Sequence, residues 1–231
     1  YHYQILRKRE NSSSFLKKTE DVIKTRKGSI KEEKLLFKMI IILLVIITGF
    51  CGYYGYLGYQ IYQDKIQEQS LSERVHQLKS KEDYVTLDQI SPIYKEAVLE
   101  SEDRRFYQHG PVDYYGLARA MLTNLTTFSF KEGGSTITQQ LSKNLCLSFE
   151  KDLSRKFAEV FIARDLEKMY SKDEILEMYL NITYLGEGNY GIQAASQYYY
   201  HIDAIDLNKQ QSDILVKTLK RPSVYNPSKV N

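Results

Sequence analysis

The sequence predicts a mainly α-helical protein with one N-terminal transmembrane helix. Residues 39–63 form a run of 25 residues without a charge, which is typical of a membrane span. Beyond residue 85, apolar residues recur every three or four positions, and no alternating stretch is long enough for a substantial β-sheet. The chain has 231 residues, of which 32 are Lys or Arg and 29 are Asp or Glu, and this balance argues against nucleic-acid binding.

The N-terminal segment, residues 1–38, is basic, with eleven Lys or Arg against five acidic residues. It lacks an apolar face long enough to fold, so we expect a disordered tail. Residues 39–63 would form a helix of about 37 Å, which exceeds the ~30 Å hydrocarbon layer. Because the cations precede the span, the tail is predicted to be cytoplasmic and the chain after residue 63 to lie outside the cell.

Glycines recur at every third position of the predicted span, at Gly49, Gly52, Gly55 and Gly58. A three-residue spacing drifts around a helix and differs from the four-residue packing motif of membrane helices. We therefore interpret these glycines as merely tolerated. The segment 64–84 is interpreted as an exposed helical neck, and residues 85–231 as the folded domain.

Capping signals predict where the helices of the folded domain begin. Ser91-Pro92 is typical of a helix start, and the apolar residues of the helix that follows are expected on one face: Ile93, Ala97 and Val98. After Gly133-Gly134, Ser135 is expected to cap a helix, and Ser171 is expected to cap another. Further helices are predicted over 115–125, 153–161, 192–200 and 210–220.

Three segments concentrate residue types that could perform chemistry. Glu102-Asp103-Arg104-Arg105-Phe106 is by itself compatible with a solvated helix face. The run from Gly133 to Asn144 combines free backbone amides, hydroxyls, amides and a lysine at a helix start, which suits sugar hydroxyls and phosphate oxygens. Arg155 and Lys156 precede Glu159 by four and three residues, so the three share one helix face. They form either an ordinary ion pair or an acid held among cations beside an anionic substrate.

Metal-ligand spacing is absent from the sequence. His109 and His201 have no second histidine or cysteine at ligand spacing, and Cys51 and Cys146 are far apart. A metal site built on these residues is therefore not expected.

Four motifs in order resemble those of the family 51 glycosyltransferases, the peptidoglycan polymerases. They are Glu102-Asp103-x-x-Phe106 with His109, the run from Gly133 to Asn144, Arg155-Lys156-x-x-Glu159, and Ile175-Leu176-x-x-Tyr179-Leu180-Asn181. The resemblance covers roughly residues 85–228 and is strongest to the monofunctional members, which have one anchor helix and no transpeptidase domain. It implies a lysozyme-like helical domain on the outer membrane surface that polymerises lipid II by inverting transfer.

The resemblance also implies roles for individual residues. Glu102 matches the general base, and Glu159 matches the glutamate that assists departure of the pyrophosphate, with a divalent cation, Mg²⁺ or Mn²⁺, as an optional cofactor there. Positions that match substrate-contacting residues of the family are Asp103, Phe106, His109, Arg119, Ser135, Thr136, Gln139, Gln140, Lys143, Asn144, Arg155 and Lys156. The implied partners are lipid II, the lipid-linked nascent glycan, the membrane and other cell-wall synthesis proteins.

Two alternative functions stay open from the sequence. Glu100-Ser101 is similar to the Glu-Ser pair of lytic transglycosylases and muramidases, which act on finished glycan, although the Gly-Leu-x-Gln motif of those enzymes is absent. The second alternative is a catalytically weak membrane scaffold that only binds lipid II or other wall-building proteins.

Overall fold

The computed structural model describes residues 2–127, 133–147 and 152–229, with side chains from residue 34 onward. These residues contain ten α-helices: α1 His2–Glu68, α2 Leu71–Lys79, α3 Pro92–Glu102, α4 Tyr114–Thr127, α5 Ile137–Cys146, α6 Leu153–Met169, α7 Lys172–Ile182, α8 Ile192–Tyr200, α9 Lys209–Lys220 and α10 Pro222–Tyr225. Within the described ranges β-structure is limited to one antiparallel bridge between Tyr184 and Tyr190. The predicted fold class, mainly α-helical, is confirmed.

Helix α1 contains the predicted membrane span. Its portion Lys34–Glu68 is long and apolar enough to cross a membrane, judged by length and composition. The helix begins at His2, whereas the sequence predicts a disordered tail before the span. Extending an existing helix adds one hydrogen bond per residue without the cost of a new nucleus, which explains how a polar segment continues the helix. Contacts divide the chain into two units, residues up to 53 and residues from 54 onward.

The segment 64–84 is not the exposed neck that the sequence predicts. Helix α2 begins with a capping box in which Ser70 and Glu73 bond to each other's backbone amides. Its apolar residues Leu71, Val75 and Leu78 are all buried and belong to the main core. An isolated nine-residue helix is unstable in water, so packing of this apolar face stabilises α2.

The part of α1 from residue 54 onward packs against α6. At Gly58, an added Cβ would lie 2.5 Å from the Phe157 Cβ and 2.6 Å from the Ser154 carbonyl oxygen, so only glycine fits. One turn further on, the Tyr62 hydroxyl donates a hydrogen bond of 2.5 Å to the Asp165 carboxylate. The interpretation of these glycines as merely tolerated is therefore wrong for Gly58, which allows close approach of two helices.

The core of the second unit is centred on α5, which packs against both α6 and α7, while α3 packs against α9. Ile137 and Leu141 of α5 are fully buried, as their spacing predicts. Ser91 precedes α3 as predicted, but its hydroxyl donates to the Leu207 carbonyl instead of capping the helix. Val98 of the predicted face is fully buried and Ala97 packs against the core, but Ile93 is 40% exposed and Tyr94 is buried in its place, so the predicted face is wrong at Ile93.

Candidate active site

The C-terminal end of α3 presents two adjacent carboxylates with different environments. Glu102 is the last residue of the helix and is half-buried. Asp103 is buried, and its carboxylate lies 2.8 Å from His109 Nε2 and accepts a 3.0 Å hydrogen bond from the Ile137 backbone amide. A carboxylate at the first turn of a helix is favoured by the exposed amides and the helix dipole. Asp103 therefore joins the end of α3 to the start of α5.

The start of α5 is fixed by a capping box one residue later than predicted. Thr136, not Ser135, is the N-cap: its hydroxyl accepts from the Gln139 amide, and the Gln139 side chain accepts from the Thr136 amide. The Thr136 hydroxyl also donates to the Pro111 carbonyl at 2.9 Å. Both residues are buried, so their polar groups hold the helix start in place. Ser135, half-buried, instead accepts a hydrogen bond from Lys156.

Gln140 connects α5 to Glu102. Its Nε2 donates a 3.1 Å hydrogen bond to Glu102 Oε2, while the Ser101 hydroxyl lies 3.3 Å from Oε1. On its other side, Gln140 Oε1 accepts a 3.1 Å hydrogen bond from the Tyr179 hydroxyl. Sequence reasoning included Tyr179 only as part of the fourth motif and gave it no role.

Glu159 lies in the middle of a group of cations. Its side chain is only 1% exposed, Lys156 Nζ bonds to its Oε2, and Arg155 Nε lies 3.4 Å from its Oε1. The prediction that these three residues share one helix face is confirmed. Burial lowers the pKa of Lys143, and the nearby charge of Glu159 acts in the opposite direction. Three cations against one carboxylate leave a surplus of positive charge, which suits an anionic ligand.

One helix thus brings the two glutamates into a common site. Gln140 contacts Glu102, and Lys143, three residues later on the same face of α5, is close to the cations around Glu159. The site therefore has a half-buried carboxylate at one end and several cations at the other. Such an arrangement can accept a proton at one atom while stabilising negative charge that develops elsewhere.

Other predicted substrate-contacting residues lie outside this group. Phe106 is 1% exposed, beneath the Lys172 ammonium at 4.5 Å from the ring centroid, and packs in the core instead of facing a ligand. Arg119 is exposed on α4, and Asn144 is half-buried on α5.

A cluster of possible metal ligands forms around His109. Ligand atoms of Asp103, His109 and Asp113 lie within 4.8 Å of one another, so the fold brings together carboxylates that sequence spacing does not relate to His109. Arg105 Nη2 lies 3.4 Å from Asp113 Oδ1, which places a positive charge against this cluster. Among the described residues, Glu159 is not part of such a cluster, and a divalent cation beside it would face three positive side chains.

Comparison with known proteins identifies the family. Residues 67–231 match the family model described as Transglycosylase. The chain is 42% identical over 149 residues to penicillin-binding protein 1A of Neisseria lactamica, and 46% identical over 143 residues to penicillin-binding protein 1F of Bacillus subtilis. These alignments cover 64% and 62% of this chain but 19% and 20% of the relatives, so the chain spans about a fifth of their length. Because the family model covers well over half of the chain, the protein belongs to the family 51 glycosyltransferases, the transglycosylase family.

Proposed function

We propose that the protein is a peptidoglycan glycosyltransferase that polymerises lipid II into glycan strands by inverting transfer. The proposal is supported by the position of α5, which contacts half-buried Glu102 through Gln140 and extends to the cations around Glu159. These cations, called the cationic group below, are Lys143, Arg155 and Lys156. A glycosyl transfer from a pyrophosphate donor requires a base on the attacking side and positive charge on the leaving side. The site supplies both.

In this mechanism Glu102 is the general base. Its carboxylate takes the proton from the 4-hydroxyl of the acceptor GlcNAc while that oxygen forms a bond to the anomeric carbon of the donor. The bond from this carbon to the lipid pyrophosphate breaks, and its electron pair leaves with the pyrophosphate. The configuration at the anomeric carbon is inverted because attack and departure occur on opposite faces.

The cations next to Glu159 stabilise the leaving group. Lys143, Arg155 and Lys156 together provide charge-assisted hydrogen-bond donors for the pyrophosphate oxygens. Glu159 holds Arg155 and Lys156 in place on α6 through its two carboxylate oxygens. A divalent cation that arrives with the pyrophosphate would add positive charge at the same end of the site, since the pyrophosphate offsets repulsion from the three cations.

The proposal includes a location and partners. Cations before the span orient residues 1–38 to the cytoplasm and the catalytic domain to the outer surface, where α1 anchors it beside its lipid-linked substrates. Lipid II and the lipid-linked nascent glycan are the substrates, and other cell-wall synthesis proteins are potential partners.

A hydrolase and a scaffold are the competing functions, and one assay separates them from the polymerase. The hydrolase reading depends on Glu100, which is exposed and paired with Arg104 at 3.5 Å, so its surroundings are those of an ordinary surface glutamate. The purified chain is incubated with lipid II and, separately, with mature glycan. Polymer formation supports the proposal, shortened glycan supports the hydrolase, and binding without a product supports the scaffold.

Substitution of the two glutamates tests the mechanism. Glu102→Gln retains the shape of the side chain but cannot take up the proton, so turnover is expected to fall by roughly 10²- to 10⁴-fold while lipid II binding is retained. Glu100→Gln is the matched control, because it makes the same change on an exposed residue two positions away. Parental turnover of Glu102→Gln would remove Glu102 from the mechanism.

A further inference from the structure

Two hydrogen bonds connect a buried tyrosine on α7 to the glutamate at the end of α3. The Tyr179 hydroxyl donates to Gln140 Oε1 at 3.1 Å, and Gln140 Nε2 donates to Glu102 Oε2 at 3.1 Å. The connection therefore crosses three helices through a single amide. Tyr179 is fully buried, whereas Gln140 and Glu102 are half-buried.

Tyr179 is well suited to be the fixed end of this connection. Its ring packs in the core of the second unit, so the hydroxyl cannot move without disturbing neighbouring helices. Burial and, next in size, the negative charge of Glu102 raise the pKa of Tyr179 well above its usual value. The hydroxyl therefore keeps its proton at neutral pH and remains available as a donor to Gln140.

A glutamine side chain has an oxygen that accepts hydrogen bonds and an NH₂ group that donates them, so a bond that fixes the oxygen also fixes the direction of the NH₂ group. With Oε1 held by Tyr179, Gln140 directs its NH₂ group at Glu102. This bond occupies Oε2, while the partner of Oε1 among the described residues is the Ser101 hydroxyl, at the longer distance of 3.3 Å. The two carboxylate oxygens are thereby unequal: Oε2 is held by an amide that is itself fixed by a buried tyrosine, whereas Oε1 has a longer contact with a hydroxyl that a substrate hydroxyl can replace.

We propose that Tyr179 is a positioning residue that acts through Gln140 to hold Glu102 Oε2, so that Glu102 Oε1 is the atom that accepts the substrate proton. The inference rests on the proposed function, in which Glu102 is the base. Tyr179 does not touch the reacting atoms, and its effect depends entirely on the Gln140 amide.

A double-mutant cycle tests the connection, with lipid II polymerisation as the assay. Tyr179→Phe removes only the hydroxyl, and kcat is expected to fall roughly 3- to 10-fold, as for the loss of one neutral hydrogen bond, while the Kd for lipid II is unchanged. Gln140→Met keeps the length of the side chain without the amide and is expected to lower kcat by a similar or larger factor. If Tyr179 acts only through Gln140, adding Tyr179→Phe to Gln140→Met causes no further loss.

Tyr94→Phe is the matched control, because Tyr94 is equally buried and close to the charge of Glu102 but lies outside this connection. It is expected to keep parental kcat. Losses that multiply in the double variant, or parental kcat in Tyr179→Phe, would overturn the proposal. If Tyr179→Phe lowers the unfolding temperature, its loss of kcat has no clear cause, and the test then depends on Gln140→Met. Parental kcat in Gln140→Met would overturn the proposal that Gln140 connects Tyr179 to Glu102. Failure of the parental chain to polymerise lipid II is a separate result, which would count against the proposed function itself.

Discussion

Replacing Gly58 by alanine would place a methyl group where α1 lies closest to α6. The new Cβ would be 2.5 Å from the Phe157 Cβ, 2.6 Å from the Ser154 carbonyl oxygen and 2.9 Å from the Ala158 amide nitrogen. Ordinary van der Waals contact begins at 3.4 Å. Two of these three neighbours are backbone atoms, so no side-chain rotation relieves the overlap. The two helices must therefore separate by about 1 Å in the variant.

Gly55 provides a matched comparison one turn earlier in the same helix. A Cβ at Gly55 meets only the Phe157 ring, at 3.9 Å, which is ordinary contact. Both substitutions gain up to ~1 kcal/mol from the higher helix propensity of alanine, and this gain cancels when the variants are compared. The overlap at Gly58 costs about 1–3 kcal/mol, so Gly58→Ala should be less stable than Gly55→Ala by that amount. For a chain of this size, the unfolding temperature would differ by roughly 2–4 °C per kcal/mol.

Activity should respond as well, because α6 carries Arg155 and Glu159 in addition to the residues that contact Gly58. A displacement of about 1 Å in groups that position a substrate can reduce turnover by up to roughly 10²-fold. The assays are thermal unfolding and lipid II polymerisation, with both variants in the same detergent. Equal unfolding temperatures and equal turnover for Gly55→Ala and Gly58→Ala would refute the argument that α1 supports the active-site helix.

The remaining predictions concern the cationic group and the orientation of the chain. Lys143→Ala and Arg155→Ala should each lower kcat/KM for lipid II by roughly 10- to 100-fold through the loss of a charge-assisted hydrogen bond, and parental kinetics in both would make them ordinary surface cations. Because burial lowers the pKa of Lys143, its charged form and the activity that needs it should be lost at a lower pH than for an ordinary lysine. Lys143→Arg should extend activity to higher pH, and an unchanged pH–rate profile would contradict this. Protease added to wall-stripped cells should remove the domain and spare residues 1–38, whereas the reverse pattern would contradict the orientation.

Local patterns in the sequence were sufficient for the elements that depend on neighbouring residues. The uncharged run 39–63 predicted the apolar helix because length and the absence of charge decide whether a segment can cross a hydrocarbon layer. Ser171 was predicted as a helix cap and forms a capping box with Glu174 three residues later. Glu159 was predicted on one face with Arg155 because helical spacing alone brings them together.

Only the tertiary structure shows which residues of other segments these helices contact. Spacing assigned Ser135 as the cap, but Thr136 takes that position, where its hydroxyl also reaches Pro111. Gly58 could not be distinguished from Gly55 by sequence, because both lie in the same repeat and only the approach of α6 separates them.

The sequence by itself determined most of the helices and the apolar segment that is long enough to span a membrane, since each depends on residue type and short-range periodicity. Only the tertiary structure joined Glu102 to Gln140 and Tyr179, residues 38 and 77 positions further along the chain. Helical periodicity specifies which side chains share a face, but not which face of another helix they meet. That choice is made by packing of the whole core, where a hydroxyl and an amide meet only because their helices fit together.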